Sequence, residues 1–336
     1  MKKLKFKDFL MKRIIIWPII AILVTVLALG ISVIACQWYT GFASIATTNQ
    51  ATAYIQRTNS KGHVFLSLGL CFDELYLQRI GFSAAAVIVD RETEEIYLLK
   101  YAIMVAEHKK HIHMEKPGGT NLDDFERLIY TVKRNGLIFH TGYMYRYNPC
   151  VEELLRRVEA DELGKIVSIE AQMNTCYYDI DRQWFENFPG GNMFFLGGHL
   201  IDFILRIKGL PKCVTPFNCC TGKDGITAKD FAMAVLSYDD GCCLVKSAAN
   251  EVGGRRHLVV SGTKATAIID PIEASANGGL YGRLTQTGRE DFVSEPFGRY
   301  NAMMESFAET VRGDAANPYS YDYELELFRV LLKCCG

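Results

Sequence analysis

The residue types that could do chemistry fall in three short stretches. In residues 109–119, KKHIHMEKPGG, an apolar run stops at Glu115, Lys116 and Pro117. Proline cannot donate to a strand ladder, and the two glycines behind it let backbone come close to a ligand. A lysine at the carboxyl end of a parallel strand sits where open α/β sheets bind ligands. Lys116 is therefore the first catalytic candidate, the other reading being a surface lysine beside a proline turn. Residues 141–149, TGYMYRYNP, put Arg146 and Asn148 at a second strand end as substrate or cofactor contacts. Tyr143, Tyr145 and Tyr147 read as wall or as packing. Residues 190–202, GGNMFFLGGHLID, open a helix expected over 199–208 and closed by Gly209 and Pro211. His199 falls in its first turn with Asp202 three residues on, on one face. A helix N-terminus disfavours charged histidine, which leaves a neutral imidazole for proton transfer. Asp202 either pairs with Arg206 or contacts substrate. Trp184 either stacks on a sugar ring or anchors a loop.

These stretches sit among recognisable elements. Residues 84–89 read as a buried parallel strand, 90–95 as a polar turn and 96–109 as a helix. A strand at 111–114, a helix at 122–134 capped by Asn121, and a strand at 136–140 follow. Helix 151–159 reads as a hinge. Strands at 166–174, 231–238, 242–248, 257–261 and 265–270 make a largely antiparallel sheet, open on one face. Helices at 299–312 and 322–333 close the chain. The fold class expected is α/β: a partial Rossmann-like parallel sheet, then an α+β domain on an open, mostly antiparallel sheet.

In order and spacing, EKPGG, TGYMYRYNP and GGNMFFLGGHLID resemble the Gfo/Idh/MocA family, and the likeness runs from about Phe82 to Gly336. The resemblance implies an NAD- or NADP-dependent oxidoreductase acting on a sugar or cyclitol, with a Rossmann domain before an open-sheet domain. It carries Lys116 and His199 over as catalytic residues. The expected cofactor contacts are Glu115, Lys116, Pro117 and Arg146, and the expected substrate contacts are Asn148, Trp184 and Asp202. The resemblance also expects an aspartate four positions before the histidine, where this chain has Phe195.

At 336 residues the chain is long enough for two domains with proper cores. A net charge of −1 gives no electrostatic footprint for nucleic acid. The eleven cysteines include no C-x-x-C and no Cys/His spacing suited to zinc. They read as reduced, mostly buried thiols in a reducing compartment, and no metal is expected.

The first 81 residues depart from the family pattern. Residues 1–13 carry six Lys or Arg against one acid, and residues 14–36 run 23 positions without a charge. A helix of that length spans a ~30 Å hydrocarbon core, so a single-pass transmembrane anchor is expected. The charge rule puts the N-terminus in the cytoplasm and the rest outside, whereas the resemblance implies a cytoplasmic enzyme. Residues 39–62 read as a linker within an atypical segment, 37–81, and 64–70 as a strand. No G-x-G-x-x-G loop follows it to hold a pyrophosphate. The expected domains are thus 82–149, dinucleotide-binding, and 150–336, for substrate and homo-oligomer contacts through the open sheet. The alternative function is a membrane-tethered, non-catalytic remnant unable to bind the dinucleotide.

Overall fold

The computed structural model describes residues 52–58, 64–71, 89–90, 95–96, 98–116, 118–276 and 279–336. The apolar span 14–36 and Pro117 lie outside them. Among the described residues no helix is long and apolar enough to cross a membrane. The chain forms two compact units, Met1–Asp73 and Glu74–Gly336. In the first, β1 (Thr52–Thr58) pairs antiparallel with β2 (Val64–Cys71). All of β1 therefore occupies a segment expected to be linker.

β3 (Val89–Asp90) pairs antiparallel with β4 (Glu95–Ile96); the parallel strand expected at 84–89 lies outside the described residues except for Val89. α1 (Leu98–Glu107), β5 (Ile112–Met114), α2 (Leu122–Arg134) and β6 (Phe139–Thr141) then make a parallel β–α–β unit. α2 starts where Asn121 Oδ1 accepts from the Asp124 amide at 3.1 Å and ends on Lys133 and Arg134, whose charges suit the carboxyl end of the helix dipole. Its buried face, including Phe125 and Leu128, packs on α7 (Tyr321–Cys335), with Phe125 stacked on Phe328 at 4.5 Å.

α3 (Pro149–Glu159) follows, then β7 (Ile166–Asn174) and the short helix α4 (Asp179–Gln183). A π turn at Met193–Gly197 leads into α5 (Gly198–Lys208). The strands after it are β8 (Cys213–Cys219), β9 (Phe231–Tyr238), β10 (Gly241–Ala248), β11 (Arg256–Gly262) and β12 (Thr266–Ile269). β13 (Ala274–Ala276) and β14 (Gly279–Tyr281) form a separate hairpin. β15 (Arg283–Gln286) and β16 (Arg289–Val293) complete an eight-stranded sheet of order β16-β15-β12-β11-β7-β10-β9-β8. Its pairings are antiparallel except β7 with β10. Alternation along β9 buries Ala232, Ala234 and Leu236 and leaves Phe231, Met233 and Val235 half-buried on the other face. α5 and α7 share the core with the buried face. β8 escaped the sequence reading because Pro216 interrupts it. The strand lies at the sheet edge, where a residue without an N–H is tolerated. α6 (Asn301–Arg312) precedes α7. Nine cysteines from Cys150 onward are free thiols, and five of them are exposed, so the set is not mostly buried as expected.

Candidate active site

Lys116 follows β5 directly and is half-buried. Its ammonium donates to the Phe195 carbonyl in the π turn, and Nζ lies 4.6 Å from the centre of the Phe195 ring. Burial lowers its pKa to about 8; nearby Glu115 opposes the shift and the charge of Arg256 adds to it. Glu115 accepts from the Lys116 amide at 2.8 Å, and burial raises its carboxyl pKa. Gly142, after β6, is what lets these strand ends approach: a Cβ there would stand 2.8 Å from Glu115 Oε2. The glycines after Pro117 also carry a backbone requirement of their own. Gly118 and Gly119 take φ of +74° and +89°, and a Cβ on Gly119 would collide with Leu99 at 2.4 Å.

His199 is buried at 2% exposure, edge-on to Tyr145 at 5.0 Å and to Tyr143 at 5.6 Å. Its Nδ1 has no hydrogen-bond partner among the described residues. Its pKa falls well below the ordinary histidine value, through burial first and then the charges of Lys116, Arg256, Arg146 and Arg299. The imidazole is neutral as expected, for another reason. The π turn runs straight into α5, with Gly197 already helical, so no free helix end faces His199.

Arg146 is buried and held by two carboxylates. Its Nε and Nη2 donate to Asp202 at 2.9–3.1 Å, and its Nη1 donates to Glu324 on α7. Tyr323 donates to Asp202 at 2.8 Å, and the rings of Tyr143 and Tyr319 flank the guanidinium. Asp202 thus pairs with Arg146, while Arg206 sits over the Tyr319 ring. Asn148 is the cap of α3: its Oδ1 accepts from the Cys150 and Val151 amides, and its amide nitrogen donates to the Ile272 carbonyl at 2.9 Å. Trp184 lies edge-on to Phe188 at 4.7 Å and to Phe195 at 5.6 Å, in a cluster that includes Phe185.

The fold brings in residues that the sequence reading passed over. Glu273, almost fully buried, is shared by Arg256 at 2.6 Å and Arg299 at 2.8 Å. Tyr145 donates to Glu273 at 2.7 Å and accepts from Arg256 at 2.9 Å. Arg256 is therefore one tyrosine ring away from His199. No local signal marks this group: Tyr145 and Glu273 are 128 positions apart, and an arginine opening a strand looks like any surface arginine. On β5 and β6, His113 and His140 face each other in register against Phe307. Burial lowers His113 to about 4 and His140 to about 3.

Residues 151–268 match the family model described as the GFO/IDH/MocA C-terminal domain. The scyllo-inositol 2-dehydrogenase (NADP(+)) IolW of Bacillus subtilis is 21% identical over 245 residues, covering 66% of this chain and 68% of that protein. The myo-inositol 2-dehydrogenase of Thermotoga maritima is 36% identical over 63 residues, 19% of each chain. In fold, the chain is similar to an inositol dehydrogenase homolog from Azotobacter vinelandii, solved with NADH and myo-inositol. That likeness has a TM-score of 0.60 at 17% identity and covers 71% of this chain and 72% of the other. The aldose-aldose oxidoreductase from Caulobacter crescentus, solved with glycerol, has a TM-score of 0.60 at 20% identity, covering 71% and 74%.

Proposed function

Because the chain belongs to the Gfo/Idh/MocA family of oxidoreductases, we propose that it transfers a hydride between NAD(P) and a hydroxyl-bearing carbon of a sugar or cyclitol. The observation that carries this reading is Lys116 held on the Phe195 carbonyl beyond the end of β5, its charge acting on the buried His199 that packs on Tyr143 and Tyr145. Residues there suit the nicotinamide end of the cofactor: Thr141 Oγ1 and His199 Nδ1 are buried with no partner among the described residues. Glu115, Lys116 and Thr141, at the ends of β5 and β6, would hold that end, which supplies or accepts the hydride when bound.

In the oxidation direction the substrate O–H proton passes to the free amine of Lys116 as the C–H bond gives up its hydride. A lysine near 8 carries a useful fraction of free base at neutral pH, whereas an ordinary one would not. The Phe195 carbonyl holds Nζ in place, and His199 offers an uncharged imidazole to the same oxygen. Arg146, Asp202 and Asn148 act on this chemistry by fixing α3, α5 and α7 around the site. Trp184 and Phe195 form an apolar wall.

A second reading rests on one observation: the chain contains no Gly-x-Gly-x-x-Gly. Backbone amides freed by such a loop normally grip the pyrophosphate, and two lost charge-assisted bonds weaken binding by roughly two to four powers of ten. We therefore expect NAD(H) to bind no tighter than about millimolar. Titration of NADH fluorescence in the full chain tests this. Saturable binding with turnover of inositol or an aldose supports the enzyme, and no binding into the millimolar range supports a non-catalytic remnant. We further propose that residues 82–149 act as the dinucleotide half and 150–336 as the substrate half. Residues 14–36 would anchor the chain in a membrane, and the half-buried outer face of the large sheet would pair with a second copy. Membrane fractionation and light scattering in detergent check the last two.

A further inference from the structure

Among the described residues, Lys116, Arg256 and Arg299 stand against two carboxylates. Arg256 and Arg299 share the carboxylate of Glu273, so that group keeps one positive charge in excess among the described residues. Lys116 adds another, opposed by Glu115, whose charged carboxylate is disfavoured by burial. The excess is open to solvent. Glu273 is 4% exposed in its side chain, while Arg256 is 27% and Arg299 35% exposed. Donors remain as well: a guanidinium has five N–H groups, and Nη2 of Arg256 reaches Thr175 Oγ1 only at 3.5 Å. On its other side Nη1 is fixed by Tyr145 and Glu273, which leaves the fork oriented and its outer edge available. Tyr145 packs on His199, so the guanidinium, through its Nη1 side, lies one ring from the proposed proton-transfer site.

We propose that the substrate is an anionic polyol, a sugar or cyclitol bearing a carboxylate or a phosphate ester, and that Arg256, backed by Arg299, grips the acidic group. A neutral polyol would leave the excess charge and the outer N–H groups to water. A carboxylate or phosphate satisfies both through a forked contact. The inference rests on the hydride-transfer reading for the reacting carbon alone, since anion binding needs no cofactor. Held at Arg256, the acid end places the polyol chain toward His199 and Lys116.

The test is calorimetric titration of the full chain in detergent with D-glucuronate, D-glucose 6-phosphate and D-glucose, without cofactor. At least one anion should bind about tenfold tighter than glucose, the size of one charge-assisted hydrogen bond. The preference should shrink as NaCl rises from ~0.05 to ~0.3 M. Which anion wins tells carboxylate from phosphate. Arg256→Gln should abolish the preference with a circular-dichroism melt like that of the parent. Arg256→Lys, which keeps the charge and loses the fork, should retain part of it and decides the matter if the glutamine variant misfolds. Equal affinities, no binding by any probe, or a preference that survives in a folded Arg256 variant would overturn the proposal. Anion preference without NADH turnover would leave it standing and count against hydride transfer; turnover of neutral polyols without preference would do the reverse.

Discussion

Two arginine clusters border Tyr143 and Tyr145, Arg146 over the Tyr143 ring and Arg256 on the Tyr145 hydroxyl, built from the same residue types and serving different ends. Arg146 is sealed: two carboxylates and flanking tyrosine rings use its donors, and its side chain is 1% exposed. Arg256 and Arg299 share one carboxylate and stay partly in water. A closed ion group fixes the helices that carry it and has no capacity left for a ligand. An open group with excess charge stabilises less and can recognise something. Satisfaction of donors, more than residue type, separates a structural arginine from a binding one.

The largest effect expected from that contrast is on stability. Arg146→Met leaves Asp202 and Glu324 buried and unpaired, and should cost about 3–5 kcal/mol in denaturant unfolding. Arg256→Gln leaves Glu273 paired with Arg299 and should cost about 1 kcal/mol or less. Equal losses would break the comparison.

Lys116→Met should keep the fold and lower turnover by roughly 10²–10⁴-fold, measured as NAD(P)H formation. Because the folded pKa of Lys116 is lowered to about 8, its free-amine fraction rises tenfold per pH unit below that value. The rate of alcohol oxidation should follow it and level off above about pH 8. A flat profile from pH 6 to 8 would remove Lys116 as the base.

Acid should act through the strand histidines. His140 is buried and titrates near 3 folded, against 6.5 unfolded, so between these values the unfolded chain binds the extra proton. Its contribution is intact above pH 6.5 and is lost as pH falls, at ~1.4 kcal/mol per unit, or roughly 2–3 kcal/mol by pH 4.5. His140→Phe should flatten that part of the stability curve. The smallest effect is electrostatic tuning. Phe195→Asp puts a carboxylate beside Lys116 and should move the shoulder of the rate profile upward by about one pH unit or less.

Much of the fold was legible because the signals are local. α2 was expected at 122–134 with Asn121 as its cap, and β7 and β9 at 166–174 and 231–238, all as observed. Each is marked by its own periodicity or cap. β8 was missed because its proline is tolerated only at an edge, and edge position is a property of the assembled sheet. The site was legible in part. Lys116 and His199 were singled out from short motifs, whereas Arg256, Glu273 and Arg299 carry no mark in the sequence.

By itself the sequence determined many of the segments that become helices and strands, and that a lysine and a histidine stand at chemically useful ends of them. Those features follow from side-chain spacing and turn chemistry within a few residues. Only the tertiary structure decided which charges are spent and which are free. Arg146 meets Asp202 and Glu324 across 56 and 178 positions, and Lys116 meets Phe195 across 79. Ionisation and donor satisfaction depend on burial and on neighbours in space. They exist only once distant segments pack, and so no local pattern could have announced them.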